Sequence, residues 1–354
     1  MRLKYLIKSA LNKFKSSQFS FICFTVLLTV FAQCSEKKLS TGGEVTFKIT
    51  IDAPFASKDV KLWLPYPTSD KLQTIKNVKI NGNYNKQLIT HDTQNDIHAV
   101  YAEWNEPINN ERYLTFTFTA SSIEHKVQPL NDDSSTDLPA EIIEFTKATR
   151  YIPTSGKIKE VALKTIGNKK TILTKSRAIY DWIVDNIKRD PRVIGCGTGE
   201  VEKTIQSMSG KCADVSTVYV AMARAAGVPA REVFGMRLGS KSKTDITDGH
   251  HCWAEFYLPK KGWVPVDPSD VLKTILVKEI TIEEALPYRE YYFGSVDANR
   301  IVLARGGRDI YLNPKQNDAP LNYFMYPYAE VDGKALEWLA AQDKLKYQIT
   351  YHNL

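Results

Sequence analysis

Several common signposts of function are missing from this sequence. No Gly-rich strand-to-helix turn runs into Lys-Ser/Thr, so nucleotide phosphates have no ready cradle; the glycine-rich stretch 190–200 reads instead as a loop at the edge of a cleft. No calcium loop of the EF-hand kind is present. Cysteine is sparse, five in 354 residues, and the spacings of Cys196, Cys212, His250, His251 and Cys252 match no usual paired-ligand zinc pattern. Neither a cofactor nor a metal is therefore expected. No long repeat or low-complexity tract is visible. Residues 21–32 form an apolar run, but one too short to span a bilayer comfortably. An excess of basic charge is missing where it would matter. Of the net +7, five charges (Arg2, Lys4, Lys8, Lys13 and Lys15) sit in residues 1–33, which hold no acidic residue, and +2 remains for the rest. That balance gives no argument for nucleic-acid binding.

What is present begins with an export-like segment. Residues 1–33 run from basic to apolar, with polar residues beyond. Cleavage after Ala32, lipidation of Cys34 and an uncleaved anchor are the three readings, and lipidation is preferred, with residues 34–42 as a flexible tether. Each puts the mature fold outside the cytoplasm, at the periplasm or outer surface of a bacterium. Residues 43–126 read as β: Val45, Phe47, Ile49 and Ile51 alternate with polar residues, as do Leu114, Phe116 and Phe118. Short strands with Asn81-Gly82 and Pro punctuation suggest a sandwich. Residues 127–139 are a polar linker. Between 138 and 189, Ile158, Val161, Ala162 and Ile166 form one helical stripe, and Ile172, Ile179, Trp182, Ile183 and Ile187 another. Tyr180 and Trp182 are read as core rather than cleft.

The chain is centred on a cysteine, a histidine and an aspartate in that order. Val215, Val218, Tyr219, Met222, Ala223 and Ala226 recur at helical spacing after Cys212. Gly227 and Pro229 end the pattern, and Ser209 and Gly210 suit its start. Cys212 thus falls in a first turn, where free N–H groups and the helix dipole favour a thiolate. His251 opens a strand running to Leu258, with His251, Trp253, Glu255 and Tyr257 on one face and His250, Cys252, Ala254 and Phe256 on the other. A return strand ends at Asp267. A plain four-residue loop pairing Leu258 with Trp263 would turn Asp267 away from His251, so an odd loop count or a bulge is required.

The segments GKCADVSTVYVAMARAAGVPAREVFG and HHCWAEFYLPKKGWVPVDPSD resemble the transglutaminase-like superfamily of papain-like cysteine enzymes, over roughly the 60 residues of the motifs and the core around them. The resemblance implies an α+β fold: helices packed on an antiparallel sheet over 140–275, preceded by an immunoglobulin-like sandwich and followed by a β-rich, aromatic extension over 276–354 packed on the core. It implies Cys212 as nucleophile, His251 as base and Asp267 as the orienting acid; His250 is one residue early. Cys252 replaces the small or apolar residue usual there and is read as core, with a disulfide to Cys196 as the alternative. The expected activity is hydrolysis of amide bonds in a peptide or protein, including envelope peptides. Protein-glutamine acyl transfer and a non-catalytic binding module are the alternatives. The expected membrane contact is only the lipid on Cys34.

Overall fold

The computed structural model describes residues 40–131, 137–239, 242–306 and 309–354. The export segment 1–33, the lipidation candidate Cys34 and most of the expected tether lie outside these residues; positions 40–42 already belong to the first strand. The N-terminal part holds strands β1 (Ser40–Ile51), β2 (Val60–Pro65), β3 (Gln73–Gly82), β4 (Lys86–Asp92), β5 (Ile97–Trp104), β6 (Arg112–Ile123) and β7 (His125–Lys126). Helices α1 (Ala140–Ile143), α2 (Lys157–Ile166) and α3 (Ile172–Asn186) follow, then β8 (Lys188–Arg189), α4 (Val201–Ser207), β9 (Ser209–Gly210) and α5 (Cys212–Ala225). Next come β10 (Ala230–Arg237), β11 (Lys243–Asp245), β12 (His250–Leu258), β13 (Gly262–Val266), α6 (Pro268–Lys278) and α7 (Leu286–Tyr291). The chain finishes with β14 (Ser295–Val296), β15 (Arg300–Arg305), β16 (Tyr328–Val331), β17 (Lys334–Ala335) and β18 (Leu345–Asn353).

Two five-stranded sheets, β11-β18-β1-β6-β3 and β17-β16-β2-β5-β4, share one hydrophobic core. The alternation in β1 and β6 explains it. Val45 pairs with Phe118, Phe47 with Phe116 and Ile49 with Leu114, so two apolar stripes lie side by side on one face. The facing sheet supplies Leu62, Leu64, Val100 and Ala102. Tyr66 stacks across the gap on Phe116, ring centroids 5.8 Å apart.

The extension expected over 276–354 pairs differently. β18 lies beside β1, from Gly43 opposite Asn353 to Ile51 opposite Leu345, and β16 lies beside β2. The last strands therefore complete the sandwich sheets. Alternation shows which face of a strand is buried but not its partner. The stretch after Ser269 is also helical first, in α6 and α7, not β-rich throughout.

The second core gathers α2, α3 and α5 against the antiparallel sheet β13-β12-β10-β15. Helix α5 is its centre. Every residue from Cys212 to Arg224 is buried, not one face alone, because helices pack on one side and β12 on the other. Burial of each large apolar side chain there contributes about 1.5–3 kcal/mol. Gly227, at φ 77°, ends the helix where a left-handed residue is needed. Among the described residues no helix is long and apolar enough to cross a membrane.

Candidate active site

Cys212 is the first residue of α5, with Lys211 as its N-cap. The Asp214 carboxylate builds this start. Its Oδ2 accepts the Lys211 N–H at 2.9 Å and its Oδ1 the Gly199 N–H at 2.9 Å. One side chain thus ties the loop 190–200 to the helix N-terminus. The Ala213 N–H donates to the Cys196 carbonyl at 2.9 Å, a second tie. Gly197 is required there: its φ is +94°, and a Cβ would fall 2.0 Å from the Asp214 carboxylate.

The hairpin meets the register condition with an odd loop. Leu258 pairs with Gly262 and Ala254 with Val266, so residue 267 continues opposite Trp253, on the His251 face. His251 Nε2 lies 2.7 Å from Asp267 Oδ2. Asp267 also caps a helix, since at the N-terminus of α6 its Oδ1 accepts the Asp270 N–H at 2.9 Å. Buried Arg300 donates to Asp267 Oδ2 at 2.8 Å and to Asp270 Oδ2 at 2.9 Å, and Arg237 pairs with Asp270. Sequence reasoning missed Asp270, Arg237 and Arg300. The first stands three residues past the N-cap in Asp-Pro-Ser-Asp, a readable signal; Arg300 falls in a stretch that reads only as a turn.

The electrostatics favour an ion pair. Burial opposes charge on His251, but the carboxylates of Asp270 and Asp267 outweigh it and raise its pKa above the ordinary imidazole value. The neighbouring sulfurs of Cys196 and Cys252, with His251 beside them, hold the Cys212 thiol well below its ordinary value against burial. Nε2 of His251 is occupied by Asp267, which leaves Nδ1 for the sulfur. His250 differs: burial pushes it down to about 4, and it stays neutral at pH 7.

Cys252 is core, as read from the sequence, but the strand alternation that should turn it away from the site does not. Its Sγ is 3.7 Å from Cys212 Sγ, and Cys196, Cys212 and Cys252 place their sulfurs within 4.8 Å of one another, all buried and none in a disulfide. The alternation itself holds, since Cys252 shares its face with Ala254 and Phe256. That face is the one α5 packs on, so core and site coincide. Three sulfurs suit a soft ion, but the contact of Cys212 is with the Cys252 S–H, and His251 is within its electrostatic reach. His251, Asp267 and Asp270 form another close set, with Arg237 and Arg300 already on the two carboxylates.

A cleft of about 320 Å³ opens over Cys212. Gly195 and Cys196 from the glycine-rich loop line it, as do Tyr326, Ala340, Ala341 and Tyr347 from the C-terminal part. Tyr180 is outside it, packed on Phe293 in the core.

The sequence pattern of the Transglutaminase-like superfamily matches residues 159–268, which include Cys212, His251 and Asp267. An uncharacterized protein of Haemophilus influenzae is 35% identical over 305 residues, covering 78% of this chain and 81% of that protein. The uncharacterized protein YebA of Bacillus subtilis is 22% identical over 247 residues, covering 59% of this chain and 32% of its own length. A solved structure from Cytophaga hutchinsonii, provisionally named a cysteine protease, has the same fold, with a TM-score of 0.55 at 16% identity over 89% of this chain and 98% of that one.

Proposed function

Because the chain belongs to the transglutaminase-like superfamily, we propose that it is a cysteine-dependent hydrolase of amide bonds, acting through an acyl-enzyme. One observation supports this most: the first residue of a buried helix places its sulfur within electrostatic reach of an imidazole whose Nε2 is 2.7 Å from a carboxylate. In this reading the Cys212 thiolate attacks the carbonyl carbon and a C–S bond forms. The oxyanion is met by the Cys212 N–H at the helix start, which has no partner within the helix. His251 gives its proton to the leaving nitrogen as the C–N bond breaks. The same imidazole then takes a proton from water, whose oxygen attacks the thioester. The acid leaves and the thiolate returns. Asp267 keeps the imidazole in the useful tautomer and stabilises its charged form.

The test is peptide-level mass spectrometry after iodoacetamide at near-neutral pH. Cys212 should be labelled much faster than Cys196 and Cys252, and His251→Ala should remove the difference. Equal, slow labelling of all three thiols would sink the reading. Hydroxylamine added with a peptide mixture should trap the acyl group as a hydroxamate. The yield with and without an amine acceptor separates hydrolysis from transfer.

Export belongs to the same proposal. It rests on the basic-then-apolar order of residues 1–33 and on Cys34. Mass spectrometry of the mature N-terminus tests it: a diacylglyceryl-modified Cys34 is expected, and an intact Met1 overturns it.

A further inference from the structure

The cleft over Cys212 has an uneven charge lining. Four cations border it, Arg189, Lys211, Arg237 and Lys273, against one carboxylate, Asp248. Arg237 is already neutralised by Asp270. Arg189 donates only to Ser269 Oγ, at 3.3 Å, and neither it nor Lys211 nor Lys273 makes an ion pair among the described residues. The nearby carboxylates are spent elsewhere. Asp214 holds backbone N–H groups, and Asp190 is taken by Arg192.

These three free cations form one wall. Arg189 ends β8, which pairs with β9 next to Lys211, and Lys273 is on α6, packed beside β8. Lys273 is within electrostatic reach of Arg237, Asp270, Arg189 and Cys212, and Lys211 of Asp190, but those carboxylates are bonded to Arg237 and Arg300 and to Arg192. Thr247, Tyr326, Ala340, Ala341 and Tyr347 supply the rest of the lining, with exposed Asp248 at the rim. Partly buried cations that outnumber the carboxylates near them and make no ion-pair contact favour an anion in the space they border, and clefts of one sign focus their field. Arginine in particular matches a carboxylate with two parallel donors.

We propose that the substrate carries a carboxylate beside its scissile amide, seated on Arg189, Lys211 and Lys273. The substrate class is then an acidic peptide: either an Asp/Glu-type side chain or a free terminal carboxylate adjoins the cleaved bond. This rests on the hydrolase reading above and narrows its substrate.

The test compares iodoacetate with iodoacetamide on the wild-type protein, reading labelling at Cys212 alone. The anionic reagent should gain on the order of tenfold over the neutral one, relative to their ratio on free cysteine. The gain should shrink with added salt. Lys273→Gln and Arg189→Gln should each lower it. In a protection arm, three tripeptides are compared: one capped at both ends with a central Glu, one with only a free C-terminal carboxylate, and one capped and neutral. Protection by the first assigns a side-chain carboxylate and by the second a terminal one. Equal protection by the neutral peptide, protection by none at millimolar concentration, or a reagent ratio like that of free cysteine overturns the proposal. If neither reagent prefers Cys212 to Cys196 and Cys252, the hydrolase reading itself has failed. If iodoacetamide selects Cys212 and iodoacetate gains nothing, only the carboxylate seat has.

Discussion

The pKa values of Cys212 and His251 are pushed towards each other from their positions in water. The thiol is lowered by its sulfur neighbours and His251, and the imidazole is raised by Asp270 and Asp267 once burial is outweighed. The sign of the pH dependence follows. A depressed thiol pKa keeps the thiolate present well into acid, and a raised imidazole pKa keeps the imidazolium present above its usual range. Iodoacetamide labelling of Cys212 between pH 6 and 8 should therefore change by less than about twofold, where an ordinary thiol climbs on the order of fifty- to a hundredfold. Hydrolysis should fall on both sides, in acid as the thiolate protonates and in base as His251 loses its proton. Replacing Asp267 by Asn removes the anion opposite Nε2, so labelling at pH 6 should drop on the order of tenfold for each unit by which the thiol pKa rises above 6. Cys252→Ala deletes one S–H donor and should move the acid limb upward; an unmoved limb would show that the 3.7 Å sulfur contact is mere packing. At this scale the Cys, His and Asp positions were legible because helix start and strand register are local properties. Cys252 was not, because alternation indicates a face without revealing what packs on it.

Elements carry the second set of consequences. The start of α5 is held by Asp214, which bridges Lys211 and Gly199, and Gly197 leaves room for that carboxylate. Gly197→Ala should cost about 1–3 kcal/mol in backbone strain, plus about 1 kcal/mol for the disturbed cap. Gly227→Ala is the control. Its φ is also positive, at +77°, but nothing lies within 4 Å of the added Cβ, so it should cost only the strain. Urea midpoints compare the two, and only the first should also lose selective labelling of Cys212. Helices α2, α3 and α5 and the β12–β13 hairpin were legible from periodicity and turn chemistry. Helix α6 was not, because Asp267 ends a strand and caps a helix at once. Taken as a strand end, it hides the Pro-Ser-Asp start that follows.

On the scale of the whole molecule, the sandwich depends on strands that are far apart in sequence. β1 is flanked by β6 and β18, and β2 by β5 and β16, so the chain leaves the sandwich, builds the core around α5 and returns. Deleting residues 345–354 should expose one side of β1 along Gly43–Ile51 and uncover Leu345, Tyr347, Ile349 and Tyr351 from the core. The expected result is insoluble protein, or a melting transition that splits in two; an unchanged single transition would refute it. No local signal in the sequence reveals this closure, because a strand's alternation is the same whichever neighbour it takes. The pairing of Gly43 with Asn353 also sets a timetable. Made from the N-terminus onward, the chain presents β1 long before β18, so that sheet has an open seam until residues 345–353 have emerged. Any factor that shelters the nascent protein must guard that seam until β18 arrives.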